Sequence, residues 1–506
     1  VEVHRVRVHP AAARLPREAQ LAWKLATFAA AASAAGVDAD VAETVAGRLV
    51  DNAAVALAAL DRKPVAAARA MALAHPRDAA ATLIGLPPTT TVHAEWAAWA
   101  NGTAVRELDF HDTFLAADYA HPADSIPPLV AVAQQRAADG ARLLHAIAAA
   151  YEVHVSLVKG ICLHAHKKDH VAHLAPAVAG GLGTLLGLDA AVLYHAINQA
   201  VHLSFSTRQS RKGEITSWKA SAPAWAGKLA IEAVDRAMRG EGAPNPIYEG
   251  EDGVIAWMLA GPDAEYAVPL PAPGDRPRGI LETYPKAHSA EYQAQALIDL
   301  AFDLRCRIDP RSWARVREVI VRTSHHTHTV IGSGSNDPEK YDPDASRETL
   351  DHSVMYILAV ALEDGRWHHV DSYTSERAHR PSTVALWRKI RTVEDPAWTA
   401  RYHDPDPGRK AFGGRVEIFL DDGAVVSEER FVADAHPNGR RPWRWPDYVE
   451  KLERLAGGRL SRSAREQFVD LAARLGRLSA EEVRQLNPAL PAGAVVPDRP
   501  DSRGIF

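Results

Sequence analysis

Cysteine is almost missing from this chain: Cys162 and Cys306 are the two in 506 residues. A disulfide framework is therefore excluded, and so is an iron-sulfur cluster held by three or four thiolates of one chain. An excess of positive charge is missing too. The formal net charge is −5, and no lysine and arginine run forms the basic face that phosphate neutralisation requires, so nucleic acid is not an expected partner. Long hydrophobic runs are also lacking. The most apolar stretch, Leu174 to Leu188, is rich in glycine and alanine and falls short of the ~20 residues that cross a bilayer, which predicts a buried helix and no membrane partner. Residues 1–20 mix His, Arg and Glu with small residues. With no apolar core of the secretory kind there, the expected location is cytoplasmic.

What is present is an ordinary globular composition, 47% hydrophobic and 24% charged, on a chain too long for one core, so two domains are expected. Histidine is abundant, with 24 residues, and His325, His326 and His328 invite a metal reading. That reading is not favoured. On a strand, His325 and His326 would point to opposite faces, and no carboxylate stands at a typical ligand spacing, so solvated or substrate-facing histidines are expected and no metal.

From Pro16 to about Gly240 the pattern is helix after helix. Leu21, Leu25 and Phe28 make one apolar face; Val41, Val45 and Leu49 make a second, after Asp38 and Asp40 as alternative caps. Gly140 precedes a helix carrying Leu143, Leu144, Ile147 and Tyr151, and small residues at 175–183 and 220–230 let helix axes approach closely. Prolines and glycines from Pro269 to Gly279 then end the helical pattern. Beyond them Val319 and Val321 alternate like a strand, as do Val416, Ile418 and Leu420 before the turn Asp422-Gly423. Between these strands, Ser346 is expected to cap one helix running through Tyr356 to Leu362. After a second proline-rich stretch, Pro437 to Pro446, helices resume with capping-box patterns at Ser463 to Glu466 and Ser479 to Glu482. The expected architecture is mainly α: a large all-helical domain (1–275 and 437–506) with an inserted smaller α+β lid domain (276–436). The cleft between the two bodies is the natural place for a ligand.

Four segments crowd ionisable residues into apolar surroundings, where unpartnered burial would cost several kcal/mol. In the first, Asp109 and His121 can meet across a loop; a bond from Asp109 to one ring nitrogen would fix the tautomer and suit His121 to proton transfer near neutral pH. The plainer reading is a helix cap and a residue preceding a helix. In the second, His164 to His173, His170 stands where a basic loop opens onto a helix N-terminus, which favours anions. In the third, Arg208 can grip a carboxylate with two parallel bonds, and Lys219 offers a compact charge beside Trp218. The fourth, Glu282 to Gln293 with Lys286, would face the cleft from the other side. Solvated turns and a plain helix start are the competing readings. Tyr341 and the pair Asp351-His352 are weaker candidates.

Taken together and in order, these strings resemble the MmgE/PrpD family. They are Leu108-Asp109-Phe110-His111-Asp112-Thr113-Phe114-Leu115 with His121-Pro122, Asp169-His170, Thr207-Arg208-Gln209 through Gly213-Glu214 to Trp218-Lys219, His288-Ser289-Ala290-Glu291-Tyr292-Gln293, Asp344 to Ser353, and Tyr402-His403-Asp404-Pro405. The resemblance implies a helical domain with an inserted α+β lid, a homodimer, and removal of water from a tricarboxylate such as 2-methylcitrate with no metal or other cofactor. It implies that Asp109, Thr113, His121, His170 and Lys286 line the site; with the readings above, the residues expected to be catalytic are His121, Asp109, His170 and Lys219, and those expected to bind substrate are Thr113, Arg208, Lys286, His288 and Tyr341. This chain has Ser289 and Gln293 where many members carry Pro and His. The alternatives are decarboxylation of cis-aconitate by the same acid and base groups, and a non-catalytic helical scaffold.

Overall fold

The computed structural model describes residues 1–308, 310–491, 493–495 and 505. It is mainly helical. The first apolar face folds as the helix Leu21–Ala35 and the second as Ala39–Ala59. Asp38 precedes the second helix without capping it, because its carboxylate is drawn to Arg276 and Arg278. Gly140 is the first residue of Gly140–Gly160, capped by Asp139, whose carboxylate accepts from Arg142 N.

The run of small residues forms Leu174–Leu186, buried along most of its length. A Cβ on Gly183 would lie 2.1 Å from Leu193 Cδ2 in the neighbouring helix Ala190–Ser204. Glycine is what lets these two axes approach. Around this central helix the apolar faces of Leu21–Ala35, Gly140–Gly160, Ala190–Ser204 and Trp218–Met238 build one continuous core.

The first 270 residues, expected to be all helical, also hold short antiparallel strand pairs. Glu2–Arg7 pairs with Glu265–Leu270, so the proline-rich run begins inside a strand; Phe114–Leu115 pairs with Tyr119–Ala120 to carry the loop that holds His121. No single helix among the described residues is long and apolar enough to cross a membrane. Leu21–Ala35 and Ala39–Ala59 are long and apolar enough only as a pair, which bends by 105°.

Residues 290–430 enclose a second, separate hydrophobic cluster. Its four-stranded sheet places Val316–Thr323 between Ile390–Glu394, which is parallel to it, and Gly414–Leu420, which is antiparallel and continues through the Asp422-Gly423 turn into Val425–Arg430. Tyr292–Arg305 and Val354–Asp364 pack against one another in that cluster.

Two local expectations give way here. Ser346 caps only Arg347–Leu350; the chain breaks at Asp351-His352 and Ser353 caps a new helix, Val354–Asp364. The segment His325–Val330 is a helix and not a strand, because the hydroxyl of Ser324 accepts from Thr327 N and starts a turn. His325 then pairs with Glu394, His328 bonds Thr392, and His326 is buried.

The C-terminal segment returns to the first core. Tyr448, Leu452 and Leu455 of Trp445–Ala456 pack on Ala39–Ala59, and Lys451 Nζ lies 2.6 Å from Asp51 Oδ1, both fully buried. Of the two capping boxes, Ser479 with Glu482 is present; at the other, Ser461 is the cap and Ser463 lies within the first turn.

Candidate active site

The buried centre is organised by Asp109, a non-glycine residue at φ 47°. That conformation turns its carboxylate back among three cations. Lys286 Nζ lies 2.6 Å from Oδ1, Lys219 Nζ 3.1 Å from Oδ2, and Arg106 Nη1 3.7 Å from Oδ1. Burial alone would raise the Asp109 pKa, but these cations outweigh it and hold the carboxyl well below the usual range. Lys219, in the first turn of Trp218–Met238, also bonds both oxygens of Asp351 at 2.8 Å. His352 completes this group through a short bond to Asp351, and burial with the Lys219 charge lowers its pKa to about 4. Asp109, Asp351 and His352 have donor atoms close enough for a metal ion. The Lys219 ammonium already occupies the space between the two carboxylates, which makes this an ion-pair network.

His121 stands at the edge of the same network. Its Nδ1–H donates to the Asp112 carbonyl at 2.7 Å, with Thr113 Oγ1 as a second acceptor at 3.1 Å. This network assigns the proton to Nδ1 and leaves the Nε2 lone pair free. Nε2 is 3.9 Å from Asp109 Oδ1, too far for a hydrogen bond. The tautomer is thus set by a backbone carbonyl, and Asp109 acts on His121 as a nearby negative charge, which corrects the pairing expected from the sequence. The Asp112 side chain is itself anchored: Tyr151 Oη donates to it at 2.8 Å, Ala123 N at 3.0 Å, and the Arg48 guanidinium lies 3.5 Å away. Burial, with Arg106 and Lys286 nearby, holds the His121 pKa well below the ordinary imidazole value.

His170 begins the short turn His170–His173 ahead of Leu174–Leu186. Its ring centroid is 5.8 Å from that of His121 and 4.7 Å from that of Tyr119. Among the described residues neither of its ring nitrogens has a hydrogen-bond partner. Burial pushes its pKa down to about 3 despite Asp169 beside it. Asp169 is occupied by Arg211, 3.2 Å away, and by the Ser210 hydroxyl at 2.8 Å. Two neutral imidazoles therefore face one another across a space bordered by buried cations.

A cavity of about 800 Å³ opens next to this centre, between the 164–168 and 207–212 loops of the helical part and residues 325–340 of the other. Its wall is cationic: Lys167, Lys168, Arg208, Arg211, Lys212 and Lys340 line it, with Asp337 as the single carboxylate among the described residues. Arg208 Nε donates to Tyr119 Oη at 3.1 Å, so Tyr119 stands between the cavity and His170. Lys340 Nζ donates to the His352 carbonyl at 2.9 Å, and burial lowers its pKa to about 8.

The structure thus brings together Asp109, Thr113, His121, His170, Lys219 and Lys286, with Arg208 at the cavity. His288 and Tyr341 are not brought there. His288 pairs with Asp299 at 2.8 Å beside another cavity, and Tyr341 stacks on Trp387 and donates to the Ile390 carbonyl. Sequence reasoning passed over Arg106, Tyr119 and Lys340, while Asp351, a weaker candidate there, is engaged as an ion-pair partner of Lys219. An arginine three residues before Asp109 was a usable signal; Lys340 carries none, because only the fold brings it to the cleft. Ser289 takes a positioning role, its hydroxyl donating to the Leu108 carbonyl at 2.7 Å and accepting from Arg347 Nη2 at 2.7 Å.

The structure defines a mainly helical protein with two buried imidazoles and several buried cations beside a lysine- and arginine-lined cleft. Residues 23–267 match the MmgE/PrpD N-terminal domain and residues 288–476 the MmgE/PrpD C-terminal domain, so the chain belongs to the MmgE/PrpD family. It is 28% identical over 393 residues to the mitochondrial 2-methylcitrate dehydratase of Yarrowia lipolytica, covering 73% of this chain and 71% of that protein. It is 26% identical to the 2-methylcitrate dehydratase of Salmonella typhimurium, over 77% of this chain and 80% of that one. An alkylcitrate dehydratase of Talaromyces stipitatus is 24% identical, over 65% of this chain and 67% of its own length.

Proposed function

We propose that this chain is a hydro-lyase that dehydrates 2-methylcitrate, with residues 276–436 acting as a lid over a helical body formed by 1–275 and 437–506. The observation that carries the reading is the pair of neutral, buried imidazoles, His121 and His170, set 5.8 Å apart beside a cationic cleft. Names of relatives support the reaction class and the tricarboxylate substrate.

Dehydration requires removal of a weakly acidic proton beside a carboxylate and departure of a hydroxyl from the neighbouring carbon. In this reading one imidazole, His121 Nε2 or His170, takes the carbon-bound proton and becomes an imidazolium, while the other, protonated as the substrate carboxylates bind beside it, gives its proton to the hydroxyl as the C–O bond breaks. The electron pair of the C–H bond becomes the new double bond, and the hydroxyl leaves as water. Asp109 stabilises the imidazolium formed at His121. Arg208 and Lys340 hold the substrate carboxylates at the cleft, while Lys219, Lys286 and Arg106 supply positive potential where enediolate charge develops. Thr113 keeps the His121 ring in place. Both imidazoles are nearly inaccessible in this arrangement, at 7% and 3% exposure, so access requires the lid to part from the body.

The test is incubation of the chelator-treated protein with 2-methylcitrate, following the ultraviolet absorbance of the unsaturated product and its mass. Growth of a product lighter by one water supports the reading; loss of carbon dioxide, or no reaction, overturns it. His121→Gln and His170→Gln should each lower kcat by about 10²–10⁴ with unchanged circular dichroism. Near-wild-type kcat in either variant removes that residue from the mechanism.

A further inference from the structure

Behind the wall of the same cleft, which His164 lines, Asp118, Cys162 and His164 present donor atoms that all lie within 4.8 Å of one another. We propose that these three residues bind a divalent metal of the zinc class, and that the buried ring of His326, which lies against His164 but outside that group, turns in to take the fourth position. The donor set is one carboxylate oxygen, one thiolate sulfur and two imidazole nitrogens, which suits borderline ions that take four ligands.

Three of the four ligands are in place before any ion arrives. Asp118 is buried and held rigidly, its Oδ1 accepting from Tyr119 N at 2.9 Å and its Oδ2 from Leu163 N at 2.7 Å. The second of these bonds fixes the turn that carries Cys162 and His164 on either side of Leu163. Cys162 Sγ lies 3.4 Å from His164 Nδ1, close to the separation of about 3.5 Å between a sulfur and a nitrogen bound tetrahedrally to zinc. His164 Nδ1 and Asp118 Oδ1 are 2.8 Å apart because they share a hydrogen bond; replacing that proton by a metal ion needs only a small opening. The second, independent observation is His326. It is 7% exposed, its Nε2 has no hydrogen-bond partner among the described residues, and its ring meets the His164 ring edge to face at 4.7 Å.

The placement has a consequence. Asp118, Cys162 and His164 belong to the helical part, and His326 to the part carrying the four-stranded sheet. A shared ion would join the two walls of the cleft next to Tyr119, whose ring is 5.5 Å from that of His164 and which separates the cavity from His170. Such an ion acts as a clasp, and under the lid reading above it inhibits turnover reversibly. The binding measurement does not depend on that reading.

The full chain, stripped with chelator, is titrated with cobalt(II) as a spectroscopic stand-in and then with zinc(II). The expected result is one equivalent of cobalt giving a near-ultraviolet thiolate-to-metal band and the visible bands of a four-coordinate ion, both lost on adding zinc. Cys162→Ser should abolish the ultraviolet band, and His326→Asn should weaken binding by more than the roughly 10–100-fold that loss of an outer ligand partner costs. Both variants should melt like the parent when metal-free, which separates loss of a ligand from loss of fold. The proposal is overturned if cobalt binds without a thiolate band, or if either variant binds as tightly as the parent.

Discussion

At the residue scale the buried centre rests on charge balance. Asp109 is shared by Lys219 and Lys286, and all three side chains are buried. Asp109→Asn removes the common counter-ion, and breaking a buried pair in this way costs about 3–5 kcal/mol; urea unfolding should show a loss of that order. Turnover should fall as well, since His121 loses the neighbouring negative charge.

The buried histidines set a pH response whose sign follows from proton uptake. His154 and His170 are pushed by burial to about 3, and His352 and His436 to about 4, from an ordinary 6.5. Between those values and 6.5 the unfolded chain binds more protons than the folded one, so stability is complete above pH 6.5 and declines as pH falls below it. Urea midpoints measured from pH 7.5 to 4 should decrease steadily, and His170→Asn should flatten the slope. With the His121 pKa held low by burial, the acid limb of kcat/KM for the proposed dehydration should lie well below pH 6.5; a limb at 6.5 would mean that the titrating base is an exposed imidazole.

At the element scale, the helix Trp445–Ala456 does more than close the first core. Lys451 pairs with Asp51 and also donates to the Lys286 carbonyl at 3.1 Å, so this late segment supports the loop that delivers Lys286. Lys451→Met should destabilise the fold by about 3–5 kcal/mol by stranding the Asp51 carboxylate, and Asp51→Asn combined with Lys451→Met should recover much of that loss. Denaturant curves on the three proteins decide it, with additive losses in the double variant contradicting the pairing.

Elements with strong periodicity and turn chemistry were legible before the structure: the helices beginning at Leu21 and Gly140, the buried Leu174–Leu186, and the hairpin at Asp422-Gly423. Those that differed turned on single local bonds. Ser353 restarts a helix that Ser346 was expected to begin, and Ser324 winds the His325 segment into a turn. A hydroxyl that bonds its own backbone competes with the longer pattern, and sequence spacing does not reveal which of two serines does so.

At the scale of the whole molecule the cleft is the feature that matters. Its lining is rich in lysine and arginine although the chain as a whole carries net negative charge, so anion attraction is local. Screening weakens such attraction. KM for a tricarboxylate should therefore rise with ionic strength while kcat changes little, and initial rates in rising sodium chloride test this; an unchanged KM would argue that the cavity wall takes no part in binding.

Sequence by itself determined the alternation of helical and mixed segments, the exclusion of cluster chemistry through the shortage of cysteine, and most of the residues that meet at the centre, because periodicity and clustered ionisable groups are local properties. Tertiary structure decided which groups touch. It gave His121 its tautomer through the Asp112 carbonyl, spent the charges of Lys219 and Lys286 on Asp109, brought Lys340 to the cleft, and took His288 and Tyr341 elsewhere. The reason is that proton affinity and ion pairing depend on distance and burial, and residues some two hundred positions apart acquire both only when the chain folds.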